Sequence, residues 1–168
     1  MLSRFLSISL VSLWLAACGG PPIAEGLWLG SNPVIEQDTC GFEAAWEIDS
    51  DWTIQYTLAH GEDRSTFTLT ADGGDSVDCV LEETAFTCAG ESVIDYNEGI
   101  EELPALDAVI TLESSSEGSL LSEVSSVATT TVSGTCEGVA CDALLGSMGE
   151  GIPDPCTSVI SLDYALVE

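Results

Sequence analysis

The chain has 168 residues, of which 29 are acidic and only two are Lys or Arg, giving a formal net charge of −27. Nucleic acids and anionic lipid headgroups are held through Lys and Arg, so the surface of so acidic a chain is excluded from binding either. With 45% hydrophobic residues, the chain is still too apolar for disorder and long enough to build one packed domain.

The N-terminus carries one base, Arg4, then an apolar and serine-rich run from Phe5 to Leu15 that ends in Ala16 and Ala17. A charged start, an apolar core and a small-residue cleavage site make the pattern of an export signal, and the run is too short for a bilayer-spanning helix. Leu15-Ala16-Ala17-Cys18 resembles the lipobox of bacterial lipoproteins. That resemblance covers residues 1–20 and implies that residues 1–17 are removed and that Cys18 becomes the acylated N-terminus. Each buried acyl CH₂ contributes ~0.8 kcal/mol, so several chains on one residue hold a protein on a membrane. Gly19, not Asp, follows the cysteine. In lipoproteins similar to the enterobacterial ones this implies sorting to the outer membrane. Residues 18–25 then form a lipidated tether and residues 26–168 a single β domain.

Gly26-Leu27-Trp28-Leu29-Gly30 reads as a first strand, followed by a loop through Pro33 to Cys40. Phe42, Ala44, Trp46 and Ile48 alternate with polar or small residues, and the period of two predicts a strand. After a turn at Asp49-Ser50-Asp51, Trp52, Ile54, Tyr56 and Leu58 alternate in the second arm of a hairpin. A turn at His60-Gly61-Glu62-Asp63 leads to a strand with Phe67 and Leu69, and Asp72-Gly73-Gly74-Asp75 turns the chain again.

Val77 to Gly90 has the best-determined geometry. A two-residue turn at Glu83-Thr84 pairs Glu82 with Ala85, which sets Leu81 opposite Phe86 and Cys79 opposite Cys88. These fall on non-hydrogen-bonded positions with Cα atoms ~4.5 Å apart, within reach of a disulfide. Residues 91–105 read as an acidic loop, Ala108 to Leu112 as a strand, Ser114 to Gly118 as its turn, and Ser119 to Ser133 as one long bent strand. From Gly134 to Gly151 the β pattern breaks, with Asp142 starting a helical turn that Gly146 stops. Ile160, Leu162, Tyr164 and Leu166 alternate in a last strand.

Besides Cys18 there are six cysteines, and an even number in an exported domain predicts three disulfides. Cys79–Cys88 follows from the hairpin, Cys136 and Cys141 are close enough to clamp their loop, and elimination joins Cys40 to Cys156. No Cys-x₂-Cys pair supports zinc. Eight or nine short strands with hairpin-length turns predict an all-β antiparallel up-and-down meander, stapled by disulfides and closed into a small barrel; a two-sheet sandwich is the alternative. Gly26-Leu27-Trp28 is similar to the Gly-x-Trp of lipocalins, a resemblance of three residues that implies the barrel.

Chemistry-bearing candidates are few. Trp28, Trp46, Trp52, Tyr56 and Phe67 occupy inward positions and would line an apolar pocket if the barrel is wide enough, or fill it if not. Asp72, Asp75 and Asp78 offer oxygens on a flexible turn for calcium, the one cofactor the sequence suggests, although Asp-Gly is also a plain hairpin signal. His60, with Glu62, Asp63 and Ser65 beside it, lacks a Gly-x-Ser-x-Gly elbow and reads as a turn residue. Close carboxylate pairs such as Glu82-Glu83 and Glu101-Glu102 are expected from acid number alone. The sequence thus predicts a non-enzymatic, lipid-anchored protein of the bacterial outer membrane that binds a small apolar ligand. The alternative is an acidic interaction module that meets a cationic partner or divalent ions.

Overall fold

A computed structural model describes residues 23–62, 64–97, 105–148 and 152–167. The export signal, Cys18, the first part of the tether, Asp63 and Glu101-Glu102 lie outside the described residues. The strands are β1 (Gly26–Asp38), β2 (Ile54–His60), β3 (Thr66–Ala71), β4 (Ser76–Glu82), β5 (Ala85–Asp95), β6 (Val109–Ser122), β7 (Ser125–Glu137) and β8 (Cys156–Leu166). Two short helices interrupt them, α1 (Phe42–Ala45) and α2 (Cys141–Met148). Every strand pairs antiparallel with its neighbour in sequence, and β8 returns to β1 to close a barrel. The eight-stranded up-and-down barrel is the predicted architecture, and closure gives every strand a neighbour on both sides.

The β4–β5 hairpin has the register derived from its turn, with Leu81 opposite Phe86 and Cys79 opposite Cys88. All three expected disulfides form: Cys79–Cys88, Cys136–Cys141 and Cys40–Cys156, with Cα separations of 4.1, 5.8 and 5.0 Å. The last of these ties the end of β1 to the start of β8.

The two ends of the barrel differ. Where β1 begins, the connections β2–β3, β4–β5 and β6–β7 are short turns. There Ile23, Trp28, Leu58, Phe67, Leu81, Phe86 and Leu120 pack into a buried core. Residues 23–25 cross this end: Ala24 N donates to Glu123 O (2.8 Å), and Trp28 Nε1 donates to Ala24 O (2.9 Å). Where β1 finishes, the long β1–β2 and β7–β8 connections carry α1 and α2. Cys141 of α2 is buried against Ala108, Ile110 and Cys136, with Leu144 and Leu145 beside them, and this closes the β5–β7 side of that end.

Several expected elements are corrected. Residues 42–48 are not a strand. Phe42 to Ala45 is a single helical turn, and Phe42 stacks on Trp46 with ring centroids 4.5 Å apart. Positions four apart share a face at a period of 2 and at 3.6, so the alternation was compatible with both. The loop at Pro33 is instead part of a continuous β1. Register shifts between Ser31 and Val34 and between Ile35 and Gln37 absorb a proline that cannot donate to a ladder.

Ser114 to Gly118 is the middle of β6, not a turn, and the long strand expected over 119–133 is broken by the turn at Glu123-Val124. Gly118 pairs with Phe86, and a Cβ there would lie 2.2 Å from the Phe86 ring. Its glycine therefore makes room for an aromatic ring inside the barrel. β5 extends to Asp95 into the expected acidic loop, β7 continues through Gly134 to Glu137, and α2 runs past Gly146.

Candidate functional site

The barrel encloses a cavity of about 230 Å³. Inward side chains recur at every second residue along the strands, as the pleat requires. On β2 these are Ile54, Tyr56 and Leu58, on β3 Phe67 and Leu69, and on β8 Ser158, Ile160, Leu162 and Tyr164. The floor is Ile23, Trp28, Phe67 and Phe86. Trp28 and Phe67 are each 2% exposed, and Phe67 meets Phe86 edge to face at 5.7 Å. At the other end the cavity reaches Glu43, an exposed residue of α1, and Trp46, which is 53% exposed, so it opens to solvent there.

All five aromatic residues singled out in the sequence line this space. Trp28, Tyr56 and Phe67 do so from strands. Trp46 and Trp52 do so from the β1–β2 connection, where they form a rim. A turn sets Trp52: the Asp49 carboxylate accepts from Asp51 N (2.9 Å) and Asp49 O from Trp52 N (3.1 Å).

Asp38 anchors the other side of the rim. Gly41, which precedes α1 in the left-handed region (φ 76°), has no side chain to cap the helix, and Asp38 supplies one. Its Oδ1 accepts from Phe42 N (3.1 Å) and from Ser158 Oγ, and its Oδ2 accepts from Glu43 N (2.7 Å). Burial acts to raise the Asp38 pKa. The hydrogen bonds from Ser158 and from the backbone of Glu43, Phe42 and Gly41 outweigh it and hold the carboxyl below its ordinary value.

Two tyrosines meet over Gly30. Tyr56 and Tyr164 have ring centroids 6.4 Å apart, and a Cβ on Gly30 would come within 2.8 Å of Tyr164 Cε1 and 2.9 Å of Ile54 Cγ2. The pKa of each phenol is raised by burial, that of Tyr164 further by the neighbouring Tyr56. The wall opposite the aromatics is a stripe of small and hydroxyl residues on β6 and β7: Ser114, Ser116, Ser126, Ala128 and Thr130. Ser116 Oγ and Thr130 Oγ1 bond each other at 2.8 Å, and Ser114 Oγ donates to Gly90 O at 3.3 Å. The sequence reading missed this wall, Tyr164, Asp38 and Phe42. Alternation at Ser126, Ala128, Thr130 and Val132 was the available signal.

Asp72, Asp75 and Asp78 are not assembled into a ligating group. Asp78 accepts from Thr68 Oγ1 (2.9 Å) across the β3–β4 pair, and among the described residues no cluster of three or more His, Cys, Asp or Glu is placed to hold a metal. His60 ends β2 at the closed end of the barrel. Its Nε2–H donates to Ile23 O (2.7 Å), its backbone N–H donates to Glu25 Oε1 (2.9 Å), and Nδ1 is buried with no hydrogen-bond partner among the described residues. It is not a lining residue of the cavity. No protein-family model, curated protein or solved structure matches the chain.

Proposed function

We propose that this is an exported lipoprotein, anchored by acylated Cys18 to the bacterial outer membrane, whose barrel binds a small apolar molecule without transforming it. The observation that carries the reading is the aromatic-lined cavity, open at one end only. Apolar lining with a few placed hydroxyls is the usual composition of a ligand site. A cavity of ~150 Å³ holds benzene, so about 230 Å³ suits a ligand of roughly nine non-hydrogen atoms. A filled interior would have supported the alternative, an acidic interaction module.

The chain enters at the closed end, and Cys18 lies five residues before Ile23. At ~3.3–3.6 Å per residue the tether reaches at most about 18 Å, which keeps the closed end near the membrane and turns the mouth away from it. A non-catalytic role is supported by the place of His60, whose Nε2 is engaged by Ile23 O outside the cavity.

Native mass spectrometry of the protein extracted from its own membrane, without reductant, tests the whole reading. The expected spectrum carries the acyl mass on Cys18, the hydrogen loss of three disulfides and a stoichiometric small organic adduct. A mature chain that begins elsewhere would refute the anchor. Failure to retain or take up any small apolar molecule would refute the binding role.

A further inference from the structure

The lining of the cavity is one-sided in charge. Among the described residues it contains no Lys, Arg or His, while two carboxylates, Asp38 and Glu43, stand at its mouth. The whole chain offers no basic correction, since it has only two Lys or Arg against 29 acids. Arg64, the one such residue among those described, is exposed in the β2–β3 turn at the closed end of the barrel. An anionic ligand would therefore lose its hydration without gaining a counter-ion, and burying an unpaired charge is costly.

The same rim is built to receive the opposite sign. Phe42 and Trp46 stack with planes 4° apart, and Trp46 and Trp52 both face the cavity. The face of an aromatic ring attracts a cation, indole most of all. The Asp38 carboxylate accepts hydrogen bonds from two backbone N–H groups and from Ser158, so its negative charge is fixed in place beside these rings. A strongly negative protein also raises the local concentration of cations at a cleft lined by its own sign.

We propose that the cavity selects a cationic amphiphile, an organic amine or quaternary ammonium whose apolar body enters the barrel while its charge rests at the Phe42–Trp46–Trp52 rim beside Asp38 and Glu43. This rests on the binding role proposed above and names the ligand class. Deeper in the barrel the walls are aliphatic, aromatic and hydroxyl, so the charge stays at the mouth and the ligand enters tail first.

Three probes of matching size separate the ideas: benzyltrimethylammonium, its uncharged carbon isostere neopentylbenzene, and the anion 3-phenylpropanoate. Each is titrated into the mature, disulfide-intact protein, with intrinsic tryptophan fluorescence and displacement of a bound dye as readouts. The ammonium is expected to bind at least tenfold more tightly than the neutral isostere, and the anion more weakly than either. Glu43→Gln leaves the Glu43 backbone N–H on Asp38 and should cut the cation's advantage about threefold without moving the neutral isostere. Equal or tighter binding of neopentylbenzene, or of 3-phenylpropanoate, would overturn charge selection while leaving the binding barrel standing. Binding of none of the three would refute both proposals together.

Discussion

Asp38→Ala tests whether the rim of the cavity is held as described. The substitution removes the acceptor of two backbone N–H groups at the start of α1 and of the Ser158 hydroxyl. Losing a helix cap costs about 1 kcal/mol. Ser158 is only 6% exposed, so leaving its hydroxyl without an acceptor adds roughly 1–3 kcal/mol. The variant should therefore be destabilised by about 2–4 kcal/mol, read from urea unfolding followed by circular dichroism. Ser158→Ala supplies the control. In the parent it should cost about 1 kcal/mol, but in the Asp38→Ala background it should restore about 1–3 kcal/mol, because there it removes a buried hydroxyl that is already unsatisfied. Strict additivity of the two substitutions, within about 0.5 kcal/mol, would refute the coupling. The pH dependence has a definite sign. A carboxyl whose folded pKa is lowered contributes stability that is present above its unfolded value near pH 4 and is lost as pH falls through the folded value. Asp38→Ala should remove that part of the acid sensitivity, and Trp46 emission should shift in the variant as the α1 turn loosens.

The disulfides should rank by the loops they close. Cys40 and Cys156 are 116 residues apart, so replacing both by serine should cost about 4–5 kcal/mol by chain entropy, against about 2.5–3 kcal/mol for Cys79 and Cys88, which are 9 apart; urea midpoints of the two double variants check the order. Gly30→Ala drives a methyl against Tyr164 and Ile54 and should cost about 1–3 kcal/mol while weakening ligand uptake, measured by thermal melts and titration. Raised phenol pKa values at Tyr56 and Tyr164 mean that the unfolded chain ionises first, so the stability these two groups contribute should be constant below about pH 10 and fall above it. Tyr164→Phe should make that alkaline fall shallower, followed by unfolding midpoints measured across the range.

What the sequence made legible was set by period and by turn chemistry. The β4–β5 register followed from a two-residue turn plus the requirement that Cys79, Leu81, Phe86 and Cys88 share a face, two constraints with one common solution. The rim did not follow, because Phe42 and Trp46 satisfy both periods and nothing local distinguishes a strand from a single helical turn. Asp38 decided it, through hydrogen bonds made four and five positions along the chain and across to β8. The hydroxyl wall was hidden for another reason. Ser114, Ser116 and Gly118 are turn-forming residues in isolation, and only the partner strand shows that they are small because Phe86 and the cavity need the space.

That division of sizes explains why a cavity exists at all. An eight-stranded barrel has an interior that side chains can just fill. Here β2 and β3 with the rim contribute Trp52, Tyr56, Leu58 and Phe67, and β6 and β7 contribute Ser114, Ser116, Ser126 and Ala128 to the same interior. Large residues on both walls would have closed it, as they do at the floor, where Trp28, Phe67, Phe86 and Leu120 meet. Small residues on both would have left a wet channel with no apolar surface to offer. Opposing a large wall to a small one leaves the cavity between them. The disulfides sit where this arrangement is weakest. Two of the three lie at the open end, where long connections replace tight turns and chain entropy would otherwise unfasten the rim.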